Sequence, residues 1–82
     1  MPTVLRREGF RVIIFLPPRE HEPPHVHVRN AVGEAVIELK TPGRSQRIRA
    51  VTGLRDHEVA AAFWLVEAET ELLLTRWREF HG

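Results

Sequence analysis

Two histidines separated by one residue, His25 and His27, are the side chains of this sequence with the clearest potential for chemistry. They lie in the run Glu-Pro-Pro-His-Val-His-Val-Arg at residues 22–29. Because side chains alternate between the two faces of a strand, Arg29 would share a face with both histidines. Neighbouring imidazoles can bind a metal ion, transfer protons or bind a phosphate. The spacing alone leaves these chemistries open.

A metal site is the first interpretation of the pair. Two imidazoles on one strand face can bind the same ion, for example zinc, but a zinc site needs at least a third protein ligand. His21 is the third ligand that we expect beside His25 and His27. The other candidates for that position are Glu20, Glu22 and His57. The sequence contains no cysteine, which excludes thiolate ligands and disulfides.

Acid–base catalysis on a nucleic acid is the second interpretation. Histidines that titrate near neutral pH can act as base and acid in phosphodiester cleavage, while an arginine stabilises the charge on the phosphate. The candidate catalytic residues are His25, His27 and Arg29. A structural role is the third interpretation, in which both rings hydrogen-bond to carbonyls or carboxylates and fix the loop at residues 17–24. Rings that open onto a pocket lined by Arg29, Arg47 or Arg49 would favour the enzyme, and rings buried under the loop at residues 17–24 would favour a protein that acts by binding a partner or another copy.

Arginines cluster in one segment of the chain, although the formal net charge is only +1. Four arginines fall within twelve positions: Arg44, Arg47, Arg49 and Arg55. The first three are the candidate residues for binding RNA or DNA, because guanidinium groups bind phosphate and carboxylate equally well. An acidic protein surface is therefore an alternative partner. The predicted strand at this position would point Ile48 and Ala50 inward and its arginines outward.

Short strands followed by a helix must position these residues. Alternating apolar residues predict strands at residues 3–7, 10–16, 25–29, 34–40 and 45–51. Gly9 is expected in a tight turn. From about residue 56 to 80 the apolar spacing becomes three and four, which predicts one long helix with Asp56 either as its N-cap or as an acid in its first turn favoured by the helix dipole. The fold class is therefore α+β, an antiparallel sheet of four to five strands packed by one helix in a single domain of residues 1–82.

The predicted helix carries more apolar surface than one packed face requires. Its apolar residues beside or behind the main stripe are Trp64, Leu65, Leu72 and Leu74. Because exposed apolar patches of that size are uncommon on monomers, these four are the candidate interface for a second copy or another protein. No stretch approaches the ~20 apolar residues that cross a membrane, and no signal peptide is visible. We therefore expect a cytoplasmic protein without a membrane partner.

Several motifs occur together along nearly the whole chain. The Pro-Pro-His-Val-His core follows an opening Met-Pro-Thr-Val-Leu-Arg and a Gly-Phe-Arg turn, and it precedes a Gly-Glu-Ala turn and a C-terminal Trp-Arg-Glu-Phe. In this combination the chain closely resembles the DUF4160 family of short bacterial proteins. Relative to that family, Arg55 replaces a frequent serine or threonine at the helix N-cap, and Trp64 and Leu72 replace more polar residues.

The resemblance implies a small helix-plus-sheet fold and a protein partner, but it supplies no catalytic residues. Family members are often encoded beside a small protein of the DUF2442 type. This pairing implies one component of a two-gene, toxin–antitoxin-like module that acts through a partner or through self-association, with RNA or another nucleic acid as one target. The alternative is a small metal-binding or phosphodiester-cleaving enzyme that uses His25 and His27.

Overall fold

The computed structural model describes residues 2–17 and 22–82. Within these residues, five strands form one antiparallel sheet in chain order: β1 Thr3–Arg7, β2 Phe10–Ile13, β3 His25–Arg29, β4 Glu34–Glu38 and β5 Arg47–Thr52. Two helices follow, α1 Asp56–Ala68 and α2 Thr70–His81. The predicted α+β fold with an antiparallel sheet is therefore confirmed. Within the described ranges, no helix has the length and hydrophobicity to span a membrane.

Tight turns explain why consecutive strands pair. Glu8 and Gly9 both have positive φ angles, 56° and 83°, which is the backbone of a type I′ hairpin turn and fits the predicted turn at Gly9. In the β3–β4 turn, Asn30 Oδ1 accepts hydrogen bonds from the backbone N–H groups of Val32 and Gly33, at 2.9 and 3.0 Å. A Cβ atom at Gly33 would lie 2.1 Å from the carbonyl oxygen of Thr52, so only glycine fits there.

The core lies between one face of the sheet and the helices. The strand residues of this face include a cross-strand row of Val12, Val28 and Ala35, and all three are fully buried. The helices contribute Ala62, Leu65, Val66, Leu73 and Trp77 to the same cluster. Burial of each large apolar side chain contributes about 1.5–3 kcal/mol, so this cluster is the main stabilising element of the fold.

The helical region spans the predicted range but is interrupted at Glu69, which has φ −112° and ψ 21°. The Thr70 hydroxyl donates hydrogen bonds to the carbonyl oxygens of Val66 and Glu67, at 3.2 and 3.0 Å. Such bonds from a threonine to the preceding turn bend helices. The break separates α1 from α2.

Of the two predicted roles of Asp56, the structure shows the second, an acid in the first turn of α1, because Arg55 occupies the N-cap position. The arginine side chain does not accept a hydrogen bond, since guanidinium has only donors. Glu58 compensates, because its Oε1 accepts the backbone N–H of Arg55 at 2.8 Å and its Oε2 accepts Asn30 Nδ2 at 3.1 Å. The backbone bond of Arg55 lowers the pKa of Glu58 below its ordinary value.

Strand β5 is exposed along all six residues, and its register with β4 shifts between Val36 and Ile37. Ile48 lies opposite Ile37, and Ala50 lies opposite Val36, so Arg49 has no directly opposite residue. This irregularity places Ala50 on the face away from the core, and its predicted inward position was wrong. Strands β2 and β4 also end earlier than predicted, at Ile13 and Glu38.

Candidate functional site

The side chains predicted to do chemistry do share one face of the sheet. His27 lies between Ile13 of β2 and Val36 of β4, while His25 pairs with Glu38 and Arg29 pairs with Glu34. We call these seven side chains the histidine face; its members are Ile13, His25, His27, Arg29, Glu34, Val36 and Glu38. The histidine face is on the side of the sheet opposite the row of Val12, Val28 and Ala35, which packs against the helices.

His25 is buried, with 1% of its surface exposed. Its Nδ1 lies 2.9 Å from the carbonyl oxygen of Pro23, a hydrogen bond within the proline pair that precedes β3. The His25 ring also contacts Trp77 of α2 at 5.2 Å between centroids, and His27 at 5.6 Å. A substrate phosphate would have to displace one of these neighbours to reach the His25 ring.

The C-terminal half of α2 contacts the chain just before β3 and the chain just after β2. Trp77 and His81 stack in parallel, with centroids 3.7 Å apart and planes 8° from parallel. Trp77 Nε1 donates a hydrogen bond to Glu22 at 2.9 Å, and His81 Nε2 lies 2.8 Å from the carbonyl oxygen of Phe15. Through these contacts, Trp77 and the stacked His81 attach α2 to the start of β3 and to the chain after β2; we call this set of contacts the anchor.

The His27 ring contacts an aromatic ring on one side and the Arg29–Glu34 ion pair on the other. The Phe15 ring meets the His27 ring edge-on at 4.7 Å, and His27 Nδ1 lies 3.3 Å from Glu34. Arg29 Nε donates a hydrogen bond to the other oxygen of Glu34. Burial alone would raise the pKa of Glu34, but the bonds from Arg29 and His27 lower it below its ordinary value.

The three arginines predicted to bind nucleic acid converge on one buried carboxylate, Glu38. Arg44 Nη2 and Arg47 Nε lie 3.3 and 3.4 Å from its Oε1, and Arg49 Nε lies 3.1 Å from its Oε2. Burial alone would raise the pKa of Glu38, but hydrogen bonds from Arg49 and Arg44 and the nearby positive charges lower it. Among the described residues one carboxylate faces three guanidinium groups, so this cluster has an excess of two positive charges.

The metal interpretation receives no third ligand from the described residues. Within residues 2–17 and 22–82, no group of three or more histidine, aspartate or glutamate side chains is arranged to hold an ion. His57 is exposed in the first turn of α1. His21 and Glu20 lie outside the described residues. The metal prediction for His25, His27 and His21 therefore stays a prediction.

The four residues predicted to form a partner interface separate into different environments. Leu65 is 4% exposed and packs in the core, because it follows Ala62 on the inward side of α1; its assignment to an exposed interface was wrong. Leu74 is partly buried against the same core. Trp64 and Leu72 are 63% and 40% exposed, and they line two different clefts.

Trp64 lies in an apolar groove between α1 and β5, with a volume of about 520 Å³. We call it the β5 groove, and its apolar lining consists of Ile48, Val51, Leu54, Val59, Ala60, Phe63 and Trp64. A hydrogen bond of 2.9 Å from Gln46 Nε2 to the carbonyl oxygen of Phe63 joins the two walls at one end. Leu72 instead lines a cleft with Lys40, Thr41 and Pro42 near the α1–α2 junction.

The replacement of His25 by alanine is expected to reduce the free energy of unfolding by about 1–2 kcal/mol, since it removes a buried hydrogen bond and contacts with Trp77. Urea unfolding followed by circular dichroism measures this loss. His57→Ala is the matched control, because His57 is exposed on α1. Equal stabilities of the two variants would contradict a structural role for His25.

Comparison with known proteins assigns the chain to a family. A sequence model of the DUF4160 family, described as a domain of unknown function, matches residues 9–78. No curated protein and no solved structure matches the chain. The matched span runs from the β1–β2 turn almost to the end of α2, and it contains the whole histidine face and the whole β5 groove. On this match, which covers most of its length, the chain belongs to the DUF4160 family.

Proposed function

We propose that this protein is the protein-binding component of a two-gene, toxin–antitoxin-like module and that it binds its partner through the β5 groove. The observation that carries the proposal is the groove itself, because three of its large apolar side chains, Ile48, Val51 and Trp64, are exposed. Each Å² of apolar surface removed from water contributes about 25 cal/mol, so a partner that covers these side chains gains affinity.

The choice of partner comes from the family. DUF4160 proteins resemble one half of a module whose other half is a small protein of the DUF2442 type. Such a protein, encoded by the neighbouring gene, is the partner that we expect. A second copy of this chain is the other occupant consistent with an exposed apolar groove.

The histidine face supports a binding protein better than an enzyme. His25 is buried between Trp77 and His27, and Arg29 donates to Glu34. Groups that act on a phosphate must reach within hydrogen-bond distance of it. The alternative function, a metal-dependent or phosphodiester-cleaving enzyme with RNA as one substrate, would need His25, His27 and Arg29 to leave these contacts first.

The substitution Trp64→Glu is expected to reduce binding of the neighbouring gene's product by at least tenfold, because it places a charge within an apolar interface. The full-length chain, carrying an affinity tag, is co-expressed with that product, and the amount that co-purifies is measured. Leu16→Glu is the matched control, since Leu16 is 48% exposed but does not line the groove.

Leu72→Glu tests the other cleft in the same assay. Normal co-purification with Leu72→Glu, together with its loss in Trp64→Glu, is the expected pattern. The reverse pattern would place the interface at the α1–α2 junction. If the wild-type chain retained none of the neighbouring product, the proposed function would be wrong.

A further inference from the structure

Strand β5 is the last strand of the sheet, and among the described residues no strand lies beside its outer edge. An edge strand presents a row of unpaired backbone N–H and C=O groups, which another extended segment can pair with. All six residues of β5 are exposed, and the β5 groove runs directly beside the strand. The open backbone edge and the apolar groove therefore form one continuous surface.

The two faces of β5 differ in chemistry. Ile48 and Val51 face the groove, whereas Arg47 and Arg49 lie on the opposite face around Glu38. A strand added at this edge would continue both faces, because its side chains alternate and lie about 4.5–5.5 Å from their cross-strand neighbours. Every second residue of the added strand would then cover the groove, and the residues between them would lie next to arginines.

The face of β5 that carries Arg47 and Arg49, here called the arginine face, is positively charged, and this charge determines which residues of an added strand can lie beside it. In the described part of the chain, Arg44, Arg47 and Arg49 share one carboxylate, which leaves an excess of two positive charges, and Arg47 is the most exposed of the three. Acidic side chains opposite these arginines would form favourable cross-strand pairs, whereas basic ones would repel. We infer that the partner inserts an extended segment in which apolar and acidic residues alternate, and that this segment pairs with β5. The inference rests on the proposed function, since it names the chemistry of that partner.

A second copy of this chain fits the edge less well. Antiparallel pairing of two β5 strands within one continuous sheet keeps corresponding faces on the same side. The arginine face of one copy would then lie beside the arginine face of the other, and like charges in neighbouring strands destabilise the pair. The cluster around Glu38 thus disfavours self-pairing at the edge that it leaves open to an acidic partner.

Two synthetic peptides test the inference with the full-length protein. One is Ile-Glu-Val-Glu-Val-Glu-Ile, with blocked ends, and the other has lysine in place of each glutamate. We expect the glutamate peptide to bind at least tenfold more tightly and to slow hydrogen exchange of backbone amides in β5, measured by NMR. Arg47→Glu brings the cluster to neutral and is expected to abolish the preference, whereas Arg47→Gln leaves one positive charge and is expected to reduce it.

Several outcomes would overturn the inference. These are equal or reversed affinities of the two peptides for the wild-type protein, no binding of either peptide, and binding that leaves β5 exchange unchanged. A concentration-dependent dimer with slowed β5 exchange would assign the edge to a second copy, and displacement of the glutamate peptide by a uridine decamer would assign the arginines to RNA. Failure of the proposed function is distinguishable, because the neighbouring gene's product would then not co-purify, whatever the peptides do.

Discussion

Replacement of Trp77 by alanine is expected to lower the free energy of unfolding by about 3–5 kcal/mol, the largest effect of any single substitution considered for this protein. Trp77 is 2% exposed and belongs to the core cluster. Its ring also contacts His25 and stacks on His81, and its Nε1 donates to Glu22. Small domains have about 5 kcal/mol of stability at the lower end of the usual range, so the variant should retain little of it.

Urea unfolding monitored by circular dichroism measures the effect, and the chain supplies a matched control. Trp64→Ala removes the other tryptophan, which is 63% exposed, and is expected to change stability by no more than about 0.5 kcal/mol. Trp77→Phe should fall between the two, because it keeps an aromatic ring but loses the hydrogen bond to Glu22. If Trp77→Ala were as stable as Trp64→Ala, the anchor between α2 and the strand ends would not exist as described.

Local patterns in the sequence were sufficient to predict the central part of the sheet. The bounds of β3 agree with the prediction, because the proline pair determines where it begins and the alternation of valine with polar residues is regular. The glycine-containing turn after β1 was predictable for the same kind of reason, since only residues with positive φ make a two-residue hairpin connection. The common face of His25, His27 and Arg29 also follows from alternation alone.

Contacts between distant residues could not be predicted in this way. Nothing near His25 in the sequence indicates that Trp77 would cover it, because fifty-one residues separate the two positions. The break at Glu69 depends on a hydrogen bond from Thr70 and on the packing of α2, while the apolar spacing continues through it. Periodicity predicts that a segment is helical, but it does not show where tertiary contacts bend the helix.

The cluster of Arg44, Arg47 and Arg49 around Glu38 could be predicted in part from the sequence. Alternation placed the arginines of β5 outward, and it also placed Glu38 outward on β4, so a cross-strand pair between them was within reach of the sequence. The sequence pattern could not predict the register between β4 and β5, because the register shift at Val36 depends on an extra residue in β5. Once that register is known, one buried carboxylate is seen to bind Arg44, Arg47 and Arg49 together.

Glu38→Gln is expected to lower the free energy of unfolding by about 2–3 kcal/mol at pH 7, because hydrogen bonds between charged groups each contribute about 1.5–3 kcal/mol. The arginines left behind would also repel one another without a carboxylate between them. Because they are partly exposed and can turn toward water, the loss should stay below that for a fully buried charge. Urea unfolding at pH 7 measures it, with Glu79→Gln on the exposed side of α2 as the control.

The pH dependence gives this prediction a second, independent measurement. The folded protein holds the pKa of Glu38 below the ordinary value of 4.5, so the carboxylate stabilises the fold at higher pH and loses this contribution as the pH falls through its folded-state pKa. The wild-type protein should therefore lose stability below about pH 4.5, and the Glu38→Gln variant should lose less over the same interval. The remaining dependence should come partly from Glu34, whose pKa is lowered in the same direction. Parallel curves for the two proteins between pH 7 and pH 3 would show that the arginines do not stabilise the ionised form of Glu38.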